Sequence, residues 1–255
     1  MIRYNKNSLK CKYKNLVVSG CSFTHNEHHS HVTWGNTLSY WTGMNISNHA
    51  VNGAGNSHIA NSIILFLEKN KPSPADTLIM VMWSIQYRTD WITDRKIKKD
   101  YNTINHSYYY DTHNELNSLL FHTKEKSHFL DTGHNYRKYQ SEYSYVLKNW
   151  LSMQSLTSYL DTHGYQYFYT SIYDLNCVKH GNYKKMLAEI NLTNDQAKWL
   201  DLSSDNYLGD FAKNKNMVAE DNCHPTPECQ EIWTHDILIP ELQKKQIVNH
   251  DPIQI

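Results

Sequence analysis

Residues 76–84, DTLIMVMWS, form an unbroken apolar run of strand length. A run without a polar face fits a strand buried on both sides, which needs covering layers above and below it. Parallel sheets meet that need, because their crossover connections lay helices on both faces. The remaining sequence supplies such helices. Residues 33–41 carry Trp34, Leu38 and Trp41 at helical spacing before a stop at Gly43. After the glycine turn NGAGNS, Asn56 or Ser57 is placed to cap a helix with Ile59, Ile63, Phe66 and Leu67 on one stripe. Val146, Trp150, Met153 and Leu160 mark a third helix ending at Gly164, and Thr226-Pro227 opens a last one limited by Pro240. Further strands are expected at Leu16-Val17-Val18, at 46–51, in YQYFYTSI and in KWLDL (198–202). This alternation predicts an α/β fold, doubly wound about a mainly parallel sheet, with its ligand site at the carboxyl ends of the strands.

A chain of 255 residues suits a single domain, 1–255, with room for an insertion. The insertion is expected at 86–142, where NHSYYYDTH and HFLDTGHNYRKY break the periodicity, and a lid over the site is one reading of it. With 25 basic and 25 acidic residues, net charge gives no reason to expect nucleic acid as a partner. No apolar stretch reaches the roughly 20 residues of a membrane helix, and the first residues lack the apolar core of a signal peptide, so a cytoplasmic location is expected. The 5 cysteines form no regular framework and are read as free thiols. The abundance of tyrosine (19) and histidine (16) fits codon bias in an AT-rich, viral type of genome.

The chemistry concentrates where the first strand ends, in NLVVSGCSFTHNEHH. Ser22 lies in the tight turn just past Gly20, and a serine hydroxyl becomes nucleophilic only when a base takes its proton. A base appears near the other terminus, in EDNCHPTPE. There Asp221 precedes His224 by three residues, a spacing that lets one turn bring carboxylate to imidazole. Cys21 beside His224 would instead make a thiol site, although adjacent turn residues point in different directions. His25, His28, His29 and His31 with Glu27, or Cys223, His224 and Cys229, are loose candidates for a metal, but neither set has established ligand spacing and no metal is expected.

Taken in order, these segments resemble the SGNH (GDSL-type) hydrolases. Gly20-Cys21-Ser22 is similar to the Gly-Asp-Ser block, NHAVNGAGN to the glycine block, with Gly53 or else Gly55 as its glycine, and Asp221-x-x-His224-Pro225 to the last block. The resemblance implies a three-layer α/β/α sandwich with a five-stranded parallel sheet of order 2-1-3-4-5. It implies an esterase with Ser22 as nucleophile, His224 as base and Asp221 as its orienting carboxylate, and requires no cofactor. The substrate expected is a carbohydrate O-acyl group or a small lipid ester.

Two positions depart from the family pattern. Cys21 replaces the aspartate of the first block, and in MWSIQ Ser84 falls where the family has an asparagine that donates to the oxyanion. The oxyanion hole is therefore expected from the backbone of Ser22 and Gly53 with Ser84, while Gln86 or Arg88 can reach in. Cys21, His25, Gly55, Asn56, Trp83, Gln86 and Arg88 are the substrate-facing candidates. Two other functions stay open: a binding or structural protein that keeps the fold without turnover, and an acyltransferase whose inserted segment excludes water.

Overall fold

The computed structural model describes residues 8–25, 32–85, 88–92, 107–111, 117–122, 142–175, 198–221 and 223–250. Its centre is the apolar run that opened the argument. Strand β4 (Thr77–Trp83) is buried along its whole length. It pairs in parallel with β2 (Asn15–Ser19) on one side and β8 (Gln166–Ser171) on the other, and β3 (Asn45–Asn48) completes the order β3-β2-β4-β8. The expected fifth strand at 198–202 appears as a single parallel bridge, Tyr169 to Trp199, so among the described residues the sheet has four strands and that bridge. Tyr169 takes both hydrogen bonds there, from its N–H to Lys198 and from Leu200 N–H to its carbonyl, and Leu202 N–H then turns back onto Leu200. The ladder stops because the next donor is spent locally.

Helices cover both faces. α1 (Trp34–Thr42) is capped by the Thr33 hydroxyl, which accepts from Asn36 N–H, and ends at Gly43. α2 (Asn56–Asn70) packs against α3 (Glu142–Thr162) on one face. On the other, α1 meets the C-terminal helical run, where Trp34 and Trp233 stack edge-to-face at 6.5 Å. After the short α4 (Leu208–Asn214), that run consists of α5 (Pro227–Trp233), a π segment (Thr234–Leu238) and α6 (Ile239–Lys244). It therefore passes through Pro240 instead of stopping there. A proline inside an α-helix lacks a donor and crowds the carbonyl of the preceding turn, and a wider i→i+5 turn just before it relieves both.

The chain also closes on itself. β1 (Leu9–Cys11) pairs antiparallel with β9 (Val248–His250), a contact between the ends that no local pattern announces. Within 86–142, the backbone forms β5 (Arg88–Ile92), β6 (Ser107–Asp111) and β7 (Asn117–His122), an antiparallel sheet of order β5-β7-β6. The expected unpatterned excursion thus contains paired strands, with β5 beside α2. Among the described residues no helix is long and apolar enough to cross a membrane.

Gly20 explains how the turn after β2 can be so tight. A Cβ there would stand 2.3 Å from Thr24 Oγ1 and 3.1 Å from the Met82 carbonyl. Thr24 is itself committed, accepting from Trp34 Nε1 at 3.1 Å. Gly20→Ala is therefore expected to lower stability by about 1–3 kcal/mol, measured as a lower urea midpoint at unchanged slope.

Candidate active site

The order β3-β2-β4-β8 makes the chain leave β2 toward one side of the sheet and return on the other. Ligand sites of open α/β sheets form at such a reversal, outside the carboxyl ends of the strands. The turn 21–25 sits there. Thr24 and His25 N–H groups both donate to the Cys21 carbonyl at 2.9 Å, winding the chain into one helical turn. That winding buries Cys21 and Phe23 in the core and leaves Ser22 partly exposed.

His224 arrives from the opposite end of the chain on a closed hairpin. A bridge joins Val218 to Pro225, with Ala219 N–H donating to the His224 carbonyl at 2.7 Å and Thr226 N–H to Met217 at 2.9 Å. At the tip, one Asp221 carboxylate oxygen accepts the N–H groups of Cys223 and His224, both at 2.9 Å. The other carboxylate oxygen meets His224 Nδ1. Burial alone would push the Asp221 carboxyl up; the two N–H donors and the imidazole outweigh it and hold the group at about 2. A carboxylate can only accept, so Nδ1 carries a proton, and in the neutral imidazole Nε2 is then the acceptor. Nε2 lies 2.7 Å from Ser22 Oγ. The Phe23 ring, 5.3 Å from the imidazole and 6.2 Å from Tyr173, backs the histidine from below.

The loop after β3 is laced to this turn. Val51 N–H donates to the Gly20 carbonyl at 3.2 Å, and the Asn48 amide spans the two segments, donating to Thr24 at 2.9 Å and accepting from Ala50 N–H at 2.9 Å. His25 Nδ1 donates to the Ala50 carbonyl at 2.7 Å. Between the two candidate glycines, Gly53 has φ of 73° and its N–H makes no backbone hydrogen bond among the described residues. Gly55 is buried and forms the N-cap of α2, its carbonyl accepting from Ile59.

The site expected from sequence is thus only partly assembled at the surface. Ser22, His224 and Asp221 are brought together. His25 is partly exposed and serves as a tie between loops. Of the residues expected to face a substrate, Cys21, Gly55, Asn56 and Trp83 are buried, and so is Ser84, expected as an oxyanion donor. The reasons differ: the turn winds Cys21 inward, Gly55 begins a helix, Trp83 belongs to the fully buried β4, and Asn56 bonds to Ser84. Asn56 also caps nothing, since it is the first residue of α2 and Gly55 is the N-cap. Gln86 and the side chain of Arg88 lie outside the described residues, as do Glu27, His28, His29 and His31. Of the other metal candidates, Cys223 is exposed, whereas Cys229 is buried with its thiol pushed up to about 12; no group of three ligating side chains converges among the described residues. Asn48 and Phe23 were not singled out by sequence, and only the asparagine at a strand end gave any local hint.

No protein-family model and no curated protein matches the chain. Solved structures do. The psychrotrophic esterase EstA from Pseudoalteromonas sp., in a structure inhibited by monoethylphosphonate, superposes with a TM-score of 0.51 at 10% identity over 91% of this chain and 98% of its own. TesA does so with a TM-score of 0.51 at 10% identity, over 90% of this chain and 98% of its own. The helix-flanked parallel sheet described above is therefore a fold that this chain shares with both of these structures, in keeping with the α/β architecture expected from the sequence.

Proposed function

We propose that this protein is a serine hydrolase of carboxylic esters, acting on a carbohydrate O-acyl group or a small lipid ester. The observation that carries the reading is the 2.7 Å approach of His224 Nε2 to Ser22 Oγ, across 202 positions of sequence. In the proposed reaction His224 takes the Ser22 proton as Oγ bonds to the acyl carbon. The carbonyl electrons move onto oxygen, where the Ser22 and Gly53 N–H groups receive them. Return of those electrons breaks the ester C–O bond, and the alcohol leaves with the proton from His224. Water, deprotonated by the same imidazole, then releases the acid and restores Ser22. Asp221 keeps the imidazole in the tautomer that accepts at Nε2. The fold shared with an esterase supports the same reading.

Fluorophosphonate labelling tests it. The wild type should form one covalent adduct, located at Ser22 by peptide mass, and should cleave short p-nitrophenyl esters. Ser22→Ala should do neither. A folded wild type that takes no label and releases no p-nitrophenol would instead be a binding protein. Turnover seen only with an added alcohol acceptor would make it an acyltransferase.

A further inference from the structure

Asn56 was expected at the substrate surface, yet its side chain is saturated inside the protein. Oδ1 accepts the Ser84 N–H at 2.8 Å, and Nδ2 donates to the Ser84 carbonyl at 3.3 Å and to Asn149 Oδ1 at 2.8 Å. Asn56, Ser84 and Asn149 are all buried. Successive residues of a strand direct their backbone groups to opposite neighbours. Trp83 points toward β8, its carbonyl accepting from Ile172 N–H at 3.0 Å. Ser84 therefore points the other way, toward the position that β2 would occupy had it continued. But β2 pairs with β4 only as far as Ser19 opposite Val81, then turns away to present Ser22. The amide of Asn56 fills the vacated place and satisfies both backbone groups of Ser84, as a continuation of β2 would.

This clamp lies three residues after Gly53. The other side of the same loop is tied to the Ser22 turn by the bonds from Val51 and His25. Gly53 is thus held between two anchors, one on the turn of the nucleophile and one on the exit of β4. The family pattern puts an asparagine at the strand end to donate to the oxyanion; this chain has Ser84 there, buried. We propose that Asn56 is a positioning residue that keeps the Gly53 N–H aimed at the developing oxyanion, an inference that rests on the serine-hydrolase reading.

The test is steady-state hydrolysis of a short p-nitrophenyl ester by wild type, Asn56→Ala, Asn56→Asp and Asn149→Ala. Active sites are counted by fluorophosphonate labelling to completion, and urea midpoints are recorded in parallel. A displaced donor should lower kcat per labelled site about 10- to 100-fold in Asn56→Ala, with KM changed less than about 2-fold. Asn149→Ala leaves both Ser84 bonds in place and should keep kcat per site within about 3-fold of wild type, whatever its urea midpoint. If Asn56→Ala does not fold, Asn56→Asp decides, because it keeps the shape and the acceptor but loses both donors; at least a 5-fold fall in kcat per site is expected. Wild-type kcat per labelled site in the folded Asn56 variants, with only the midpoint lowered, would overturn the proposal while leaving the hydrolase reading intact. A wild type that neither labels nor turns over would overturn both.

Discussion

Ser22→Ala, His224→Ala and the double variant should all lose about the same activity, roughly 10⁶-fold in kcat on a short ester. Alcohol and imidazole act as one unit, so removing the second after the first has little left to remove. Asp221→Asn should cost less, about 10⁴-fold, because it leaves nucleophile and base in place but lets Nδ1 accept and so favours the wrong imidazole tautomer. The pattern is more telling than any single loss. Additive losses in the double variant would mean that the 2.7 Å contact between Ser22 and His224 is not the reacting pair. Unfolding midpoints for Ser22→Ala should stay close to wild type, since Ser22 Oγ is partly exposed and bonded to a surface hairpin.

The second large effect is an acid lability unrelated to catalysis. His58, in the first turn of α2, is 2% exposed, and burial pushes its imidazole down to about 4. His49, just after β3, is half-buried against the Phe66 ring at 4.3 Å, and burial likewise pushes it down to about 4. In the unfolded chain both groups return to about 6.5. Above that value neither state binds the proton, and the folded protein keeps its full stability. Between about 6.5 and 4 the unfolded chain binds protons that the native state refuses, so stability falls as pH falls. Each histidine contributes up to about 1.4 kcal/mol per pH unit in that window. Asp221 adds a separate loss only below its ordinary carboxylate range, since its native value is about 2. Urea melts at pH 7.5, 6, 5 and 4.5 should show the decline, and His58→Gln should flatten it by about one proton even if stability at pH 7.5 drops. An unchanged pH slope in that variant would remove His58 from the account.

The Ser22 turn is held by one arrangement, in which the loops after β2 and β3 meet above the sheet. Parts of it were legible in advance for local reasons. A hydroxyl before Trp34 and a glycine after Thr42 satisfy the ends of α1 from within a few residues. The Asp221 to His224 spacing suffices for a carboxylate to grip both the backbone and the ring, and Thr226-Pro227 begins its helix because the cap and the missing donor belong together.

What sequence alone determined was whatever periodicity and near-neighbour hydrogen bonding control: the buried β4 run, the stripes of α1 to α3, the two motif ends and hence the layer order. Only the tertiary structure decided which side chains reach the surface. Cys21 and Ser22 are adjacent in the chain, yet the turn sends one into the core and the other to His224. Asn56 follows a glycine-rich loop of the kind typical of ligand contacts, but its partner is a backbone 28 positions away. The bridge that ends the sheet at Trp199 and the π turn that carries the last helix past Pro240 have the same origin. Each depends on which donors and acceptors the neighbouring elements have already used, a quantity that exists only once the strands have been placed side by side.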